Sequence, residues 1–200
     1  MRQNQRCLIA ILLLGLWPSL VEACDKFKPV RAEDQVLLEA LRNEKAQASQ
    51  RLFALVELAC NSEPTIRKAA LDAAIKSSDR SLRSKALAEL IMQREGIRAK
   101  LEPIVWFRGY ARDEVERAGW SINFRFHERS RERNCINLTP GREPCFQYSM
   151  LVIDGTQVRI NEDGGRTIAE FTLDKNNLLK GFVTFKNNPS APATVELFQQ

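Results

Sequence analysis

His127 is the only imidazole in a chain of 200 residues. A multi-histidine metal site is therefore impossible, and a Ser-His-Asp or Cys-His site would have one possible base. His127 sits in a run where Arg125, Arg129, Arg131 and Arg133 are all odd-numbered. On a strand continuing to Cys135, these arginines would share a face with His127, opposite Phe124 and Phe126. Arg142 follows in a loop that a Cys135–Cys145 bridge would hold nearby. Guanidinium forks match phosphate and carboxylate oxygens. Arg125, His127, Arg129, Arg131, Arg133 and Arg142 are thus the candidate binding residues for an anionic partner. The competing reading is a solvated edge strand charged against aggregation, with Glu128 and Glu132 as counter-charges.

Other chemistries leave fainter marks. No GxSxG elbow accompanies His127, and HExxH, CxxC and glycine-rich nucleotide patterns do not occur in the chain. Asn161-Glu162-Asp163-Gly164-Gly165 is oxygen-rich but lacks the spacing of a calcium loop, so it reads as a tight turn. Glu128, Glu132, Glu162 and Asp163 fall near expected strand ends, where a carboxylate pair could act in hydrolysis. Trp106, Phe107, Tyr110 and Trp120 could stack on sugar or form a hydrophobic seam. No catalytic residue, metal ligand or cofactor is assigned.

Residues 1–23 carry the marks of an export signal. Arg2 and Arg6 precede an apolar run of 11 residues, Cys7 to Trp17, which is too short to span a bilayer. Pro18 and Ser19 break it, and Val21 and Ala23 suit cleavage after Ala23. The mature chain would hold 28 basic and 24 acidic residues. That small excess needs no nucleic acid to explain it. No later segment is apolar enough to span a membrane.

Four cysteines would remain: Cys24, Cys60, Cys135 and Cys145. An even count in an oxidising compartment implies disulfides, with three pairings possible. Nine residues rich in turn formers separate Cys135 from Cys145, favouring a local bridge and leaving Cys24 with Cys60. Cys24 has a rival role as a lipidated N-terminus, since Val-Glu-Ala-Cys distantly resembles a lipobox.

Residues 31–101 read as helix, with Leu37, Leu38, Leu41, Leu52, Leu55, Val56 and Leu58 at helical spacing. Within them, Ser62–Ile75 (SEPTIRKAALDAAI) repeats as Ser78–Ile91 (SDRSLRSKALAELI) at an offset of 16 residues. Each unit opens with a serine able to cap, an acid beside it, and then one apolar stripe. EPTIRKAAL and DRSLRSKAL resemble a HEAT-like helical repeat over residues 62–93. That resemblance implies a helix pair needing neighbours to bury its faces. A small helical bundle satisfies the same pattern.

Beyond Pro103 the period shifts to two. Ile122, Phe124 and Phe126 alternate with polar residues, as do Phe146, Tyr148, Met150 and Val152. Asp154-Gly155, Gly164-Gly165 and Asp174–Asn177 punctuate the strands that follow, and Leu179–Phe185 and Thr194–Phe198 end the series. Arg112–Arg117 fits a short helix or a turn.

The expected fold is α+β: an N-terminal helical bundle with a HEAT-like helix pair, then a C-terminal antiparallel β-domain with a local disulfide. The expected segments are a signal peptide at 1–23, a helical domain at 24–101, a junction at 102–118 and the β-domain at 119–200. The expected function is a non-enzymatic binding or interaction protein of the periplasm or cell envelope, or secreted. Its partner would be an envelope protein, an anionic glycan or a lipid, met through the basic strand. The alternatives are a small envelope hydrolase using paired carboxylates and a structural protein lipid-anchored through Cys24.

Overall fold

The computed structural model describes Cys24, residues 27–104 and residues 109–197. The export signal read in residues 1–23, the Trp106 and Phe107 rings and the Tyr110 side chain lie outside the described residues.

The architecture is α+β, as the two periodicities imply. Four helices come first: α1 (Asp34–Arg42), α2 (Ala48–Ala59), α3 (Pro64–Ile75) and α4 (Arg80–Met92). The repeat supplies the last two. Ala70, Leu71, Ala74 and Ile75 are buried on α3, and Leu82, Ala86, Leu87, Leu90 and Ile91 on α4. The caps correct the expected detail. The acids cap these helices rather than the serines: Glu63 accepts from Thr65 N, and Asp79 from Ser81 N and Leu82 N. A carboxylate both satisfies free amides and offsets the positive helix end.

The helical reading of 31–101 overruns. Gly96–Leu101 is strand β1, with Ile97, Ala99 and Leu101 buried between exposed Arg98 and Lys100. That alternation has the strand period, which Ala and Lys propensities mask in a helical context. Helix α5 (Gly109–Arg117) follows, resolving the Arg112–Arg117 segment as helix.

Eight further strands complete the sheet: β2 (Ser121–Arg125), β3 (Arg129–Ser130), β4 (Cys135–Asn137), β5 (Met150–Asp154), β6 (Gln157–Glu162), β7 (Thr167–Leu173), β8 (Leu178–Phe185) and β9 (Ala191–Glu196). All pairings are antiparallel, in the order β2-β1-β9-β8-β7-β6-β5-β4-β3. The meander from β3 to β9 uses the expected turns, and β1 then inserts between β9 and β2. One expected strand is corrected. Phe146 and Tyr148 lie in a turn before β5, and Leu151 and Ile153, not Met150 and Val152, are its buried residues. The Asn137 side chain accepts from Phe146 N and donates to the carbonyls of Arg142 and Glu143, holding residues 142–146 off the sheet. The Cys135–Cys145 and Cys24–Cys60 disulfides are both formed.

The two outermost strands, β2 and β3, are consecutive in the chain, and this curls the sheet toward closure. Phe126 N donates to Glu95 O on the β1 side, and His127 N donates to Asn137 O on the β4 side. Asn137 N returns to Glu128 O, so His127 and Glu128 together oppose one residue. This is a β-bulge, which bends a strand and inverts its side-chain phase.

Hairpin turns alternate between the two ends of the curled sheet. Helix α4 covers one end: Arg83 donates to Asp174 O in the β7–β8 turn, and Arg131 of the β3–β4 turn pairs with Glu89. The other end carries the β6–β7 turn, the residues after β8, and α5. Buried apolar residues of helices and sheet form one cluster, from Leu38 to Leu197.

Candidate functional site

The arginine run is not one face. A single strand to Cys135 would have required unbroken alternation, but the bulge at His127–Glu128 interrupts it and residues 131–134 form a turn. A one-residue slip moves every later side chain to the other side of a strand. Arg125 is exposed on β2. Arg129 is in register with the buried Ile136, and its guanidinium donates to the carbonyls of His127 and Arg94. Arg133 donates to Pro144 O, and Arg142 lies over the Phe146 ring at 5.2 Å. His127 is half-buried at the bulge.

Arg131 has the most consequential setting. It pairs with Glu89, which is only 4% exposed and also takes Lys85 at 3.0 Å. A buried carboxylate needs such partners to offset its lost hydration. Arg131, Lys85 and Arg80 then line a groove of about 530 Å³ between α4 and the β3–β4 and β5–β6 turns, with Glu132 as its acid. Among the described residues the Arg80 guanidinium has no ion-pair partner. Beside the groove, burial and then the charge of Arg131 hold the Arg129 guanidinium below its ordinary value, against the pull of Glu95. Burial does the same to Arg94. Positive charge is crowded at this junction. Sequence reasoning missed Arg80 and Lys85, because no local signal says that α4 meets a turn some fifty positions later.

The opposite end of the sheet holds a second, larger cleft of about 910 Å³. Its distinguishing residue is Glu162. On β6, Val158 and Ile160 are buried facing inward, and Glu162 occupies the next position of the same phase. On β5–β9, Glu162 is the one ionisable residue at such an inward position. Burial, then the charges of Asp163 and Glu114, push its carboxyl above the ordinary value, while the Thr167 hydroxyl opposes the shift. Of the acids considered for hydrolysis, Glu162 and Asp163 line this cleft; Glu128 instead accepts from Gly141 N. The inward phase of Glu162 was readable from Val158 and Ile160. Its companion Glu114, on α5, was not.

Asn161–Gly165 is the β6–β7 corner, with left-handed backbone at Asp163, Gly164 and Gly165. Among the described residues no group of three or more His, Cys, Asp or Glu side chains could hold a metal ion. Trp120 packs half-buried against the core. Comparison of the chain with protein-family models, with curated proteins and with solved structures gives no match in any of the three.

Proposed function

We propose that this is an exported, non-enzymatic binding protein that takes an anionic partner in the groove between α4 and the β3–β4 turn. One observation carries the reading: the groove sets Arg80, Lys85 and Arg131 against the single acid Glu132. Lys85 and Arg131 share one carboxylate, Glu89, so the local charge is not neutralised from within. An anion entering the groove would replace water around cations already crowded together. Of the six candidates Arg125, His127, Arg129, Arg131, Arg133 and Arg142, Arg131 lines this groove; Arg129 and Arg133 bond backbone carbonyls instead.

Export supports the same reading. The N-terminal pattern of residues 1–23, two disulfides, and the absence of any membrane-crossing helix among the described residues are mutually consistent. The bridge to Cys60 occupies the Cys24 sulfur that a thioether lipid would require, which favours a periplasmic or secreted chain over an anchored one.

The test is equilibrium binding to dextran sulfate and to phosphatidylglycerol vesicles. Arg80→Glu should weaken binding about tenfold at low ionic strength, and the difference should shrink as salt screens it. Arg159→Glu, an equal charge change on the outer face of β6, should have little effect. Equal losses in the two variants would reduce the groove to a share of net charge and overturn the proposal.

A further inference from the structure

The cleft at the far end of the sheet is chemically unlike the cationic groove. Its walls come from α5, β2, the β6–β7 turn and the residues after β8. Ile122 and Phe185 supply an apolar floor, packed on the core. Above it stand Glu114, Asp163, Arg166 and Lys186, two charges of each sign. Exposed Asn123 adds a neutral polar residue to the lining, whereas the buried Ser121 hydroxyl is already engaged, accepting from Arg98 and donating to Ala118 O.

Glu162 completes this set from below. Its position in phase with Val158 and Ile160 points it inward, next to Thr167, its cross-strand partner. A carboxyl there is costly when charged, because it lies above an apolar interior. At pH below its raised value, Glu162 can donate one hydrogen bond and accept others, and the four remaining lining charges, two of each sign, cancel. In that state a cleft of balanced charge, with an apolar floor and several polar side chains, does not select ions. It suits a molecule with apolar C–H faces and many hydroxyls.

We infer that this cleft is a binding site for a neutral, hydroxyl-rich ligand of the size of a short oligosaccharide, with Glu162 donating a hydrogen bond to one of its hydroxyls. The site is separate from the anion groove, so either can fail without the other.

Protonation governs the contact. Glu114 on α5, Asp163 in the β6–β7 turn and Thr167 on β7 act on Glu162 directly, and Arg166 and Lys186 line the same cleft. As pH rises through the raised value of Glu162, the donor is lost and a charge appears in its place. Ligand affinity should therefore fall with rising pH over that interval.

The experiment titrates the mature full-length chain with maltotetraose, cellotetraose and N-acetylated chitotetraose, followed by amide chemical shifts. At least one probe should move signals from residues 114–123 and 162–167. Glu162→Ala should weaken that probe about tenfold, the worth of one hydrogen bond at such a site. Glu162→Gln keeps an N–H donor without titrating; it should bind within about twofold of wild type at low pH and lose the pH dependence. Carboxyl carbon shifts of Glu162 report its protonation in the free protein and give a control independent of binding. No probe moving the cleft signals would overturn the inference. So would Glu162→Gln losing as much as Glu162→Ala, or wild-type binding that ignores pH. Cleavage of a probe would retain the site and add a hydrolytic step to it.

Discussion

Gly181→Ala should cost at least about 3 kcal/mol of stability, although the change is one methyl group on a half-exposed strand residue. Gly181 is in register with Phe171 in the pairing of β7 with β8. A Cβ at this position would be driven into the Glu170 carbonyl, with the carbonyl carbon at 2.7 Å and Phe171 Cα at 2.8 Å. These are backbone atoms in a hydrogen-bonded ladder, so they cannot swing aside like the end of a flexible side chain. Ordinary overpacking costs about 1–3 kcal/mol, and a clash with a paired strand belongs at or beyond the upper end. The strands would have to separate at the centre of the meander. Urea unfolding of Gly181→Ala beside wild type measures the effect as a shift in midpoint. A loss under about 0.5 kcal/mol would mean that β7 and β8 do not approach as described.

Breaking the Cys24–Cys60 bridge, as Cys24→Ser with Cys60→Ser, should lower stability by about 4 kcal/mol. The magnitude follows from chain entropy: the bridge closes a sequence separation of 36 residues, against 10 for Cys135–Cys145. The shorter loop predicts a smaller loss, about 3 kcal/mol, when its two cysteines are replaced. Other contacts seat the N-terminal segment and limit the damage. Lys28 N donates to Cys60 O and Ser62 N to Lys28 O, and Lys28 and Arg31 both pair with Glu57. The segment should therefore stay docked while the denatured chain gains freedom. Chemical unfolding of the two double variants tests the order of the losses. A larger loss at Cys135–Cys145 would show that native geometry, not loop length, dominates.

How far the sequence reached can be judged from individual elements. The α3–α4 repeat was plain because each unit carries its own apolar stripe and an opening serine with an acid beside it, which are local facts; that the acid rather than the serine caps was not. The β5–β6, β6–β7 and β7–β8 turns were plain because Asp154-Gly155, Gly164-Gly165 and Asp174–Asn177 signal turns by conformational preference. Both disulfides followed from loop length and elimination. The failures share a different cause. The bulge at His127–Glu128 is set by Asn137 on another strand, so nothing between residues 121 and 135 announces it. Once it is present, the odd-numbered arginines cannot share a face. Strand β1 was hidden because Ile97, Ala99 and Leu101 alternate only briefly and follow a long helical stretch. Its place between β9 and β2 is a long-range choice that local periodicity cannot express.

The candidate sites show the same division. Arg131 and Glu162 were both singled out from the sequence, for charge and for position near a strand end. What makes them chemically interesting comes from partners brought by folding: Arg80 and Lys85 on α4 for the first, Glu114 on α5 for the second. The lone histidine, which first excluded so much, lies at the bulge between these two ends of the sheet.

Hydrogen–deuterium exchange with dextran sulfate bound decides whether an anionic partner binds at the helix-covered end of the sheet. Exchange should slow in residues 80–88 of α4 and in 131–134, with residues 162–167 and 186–188 at the far end unchanged. Protection confined to the far end, or spread evenly over the surface, would contradict it.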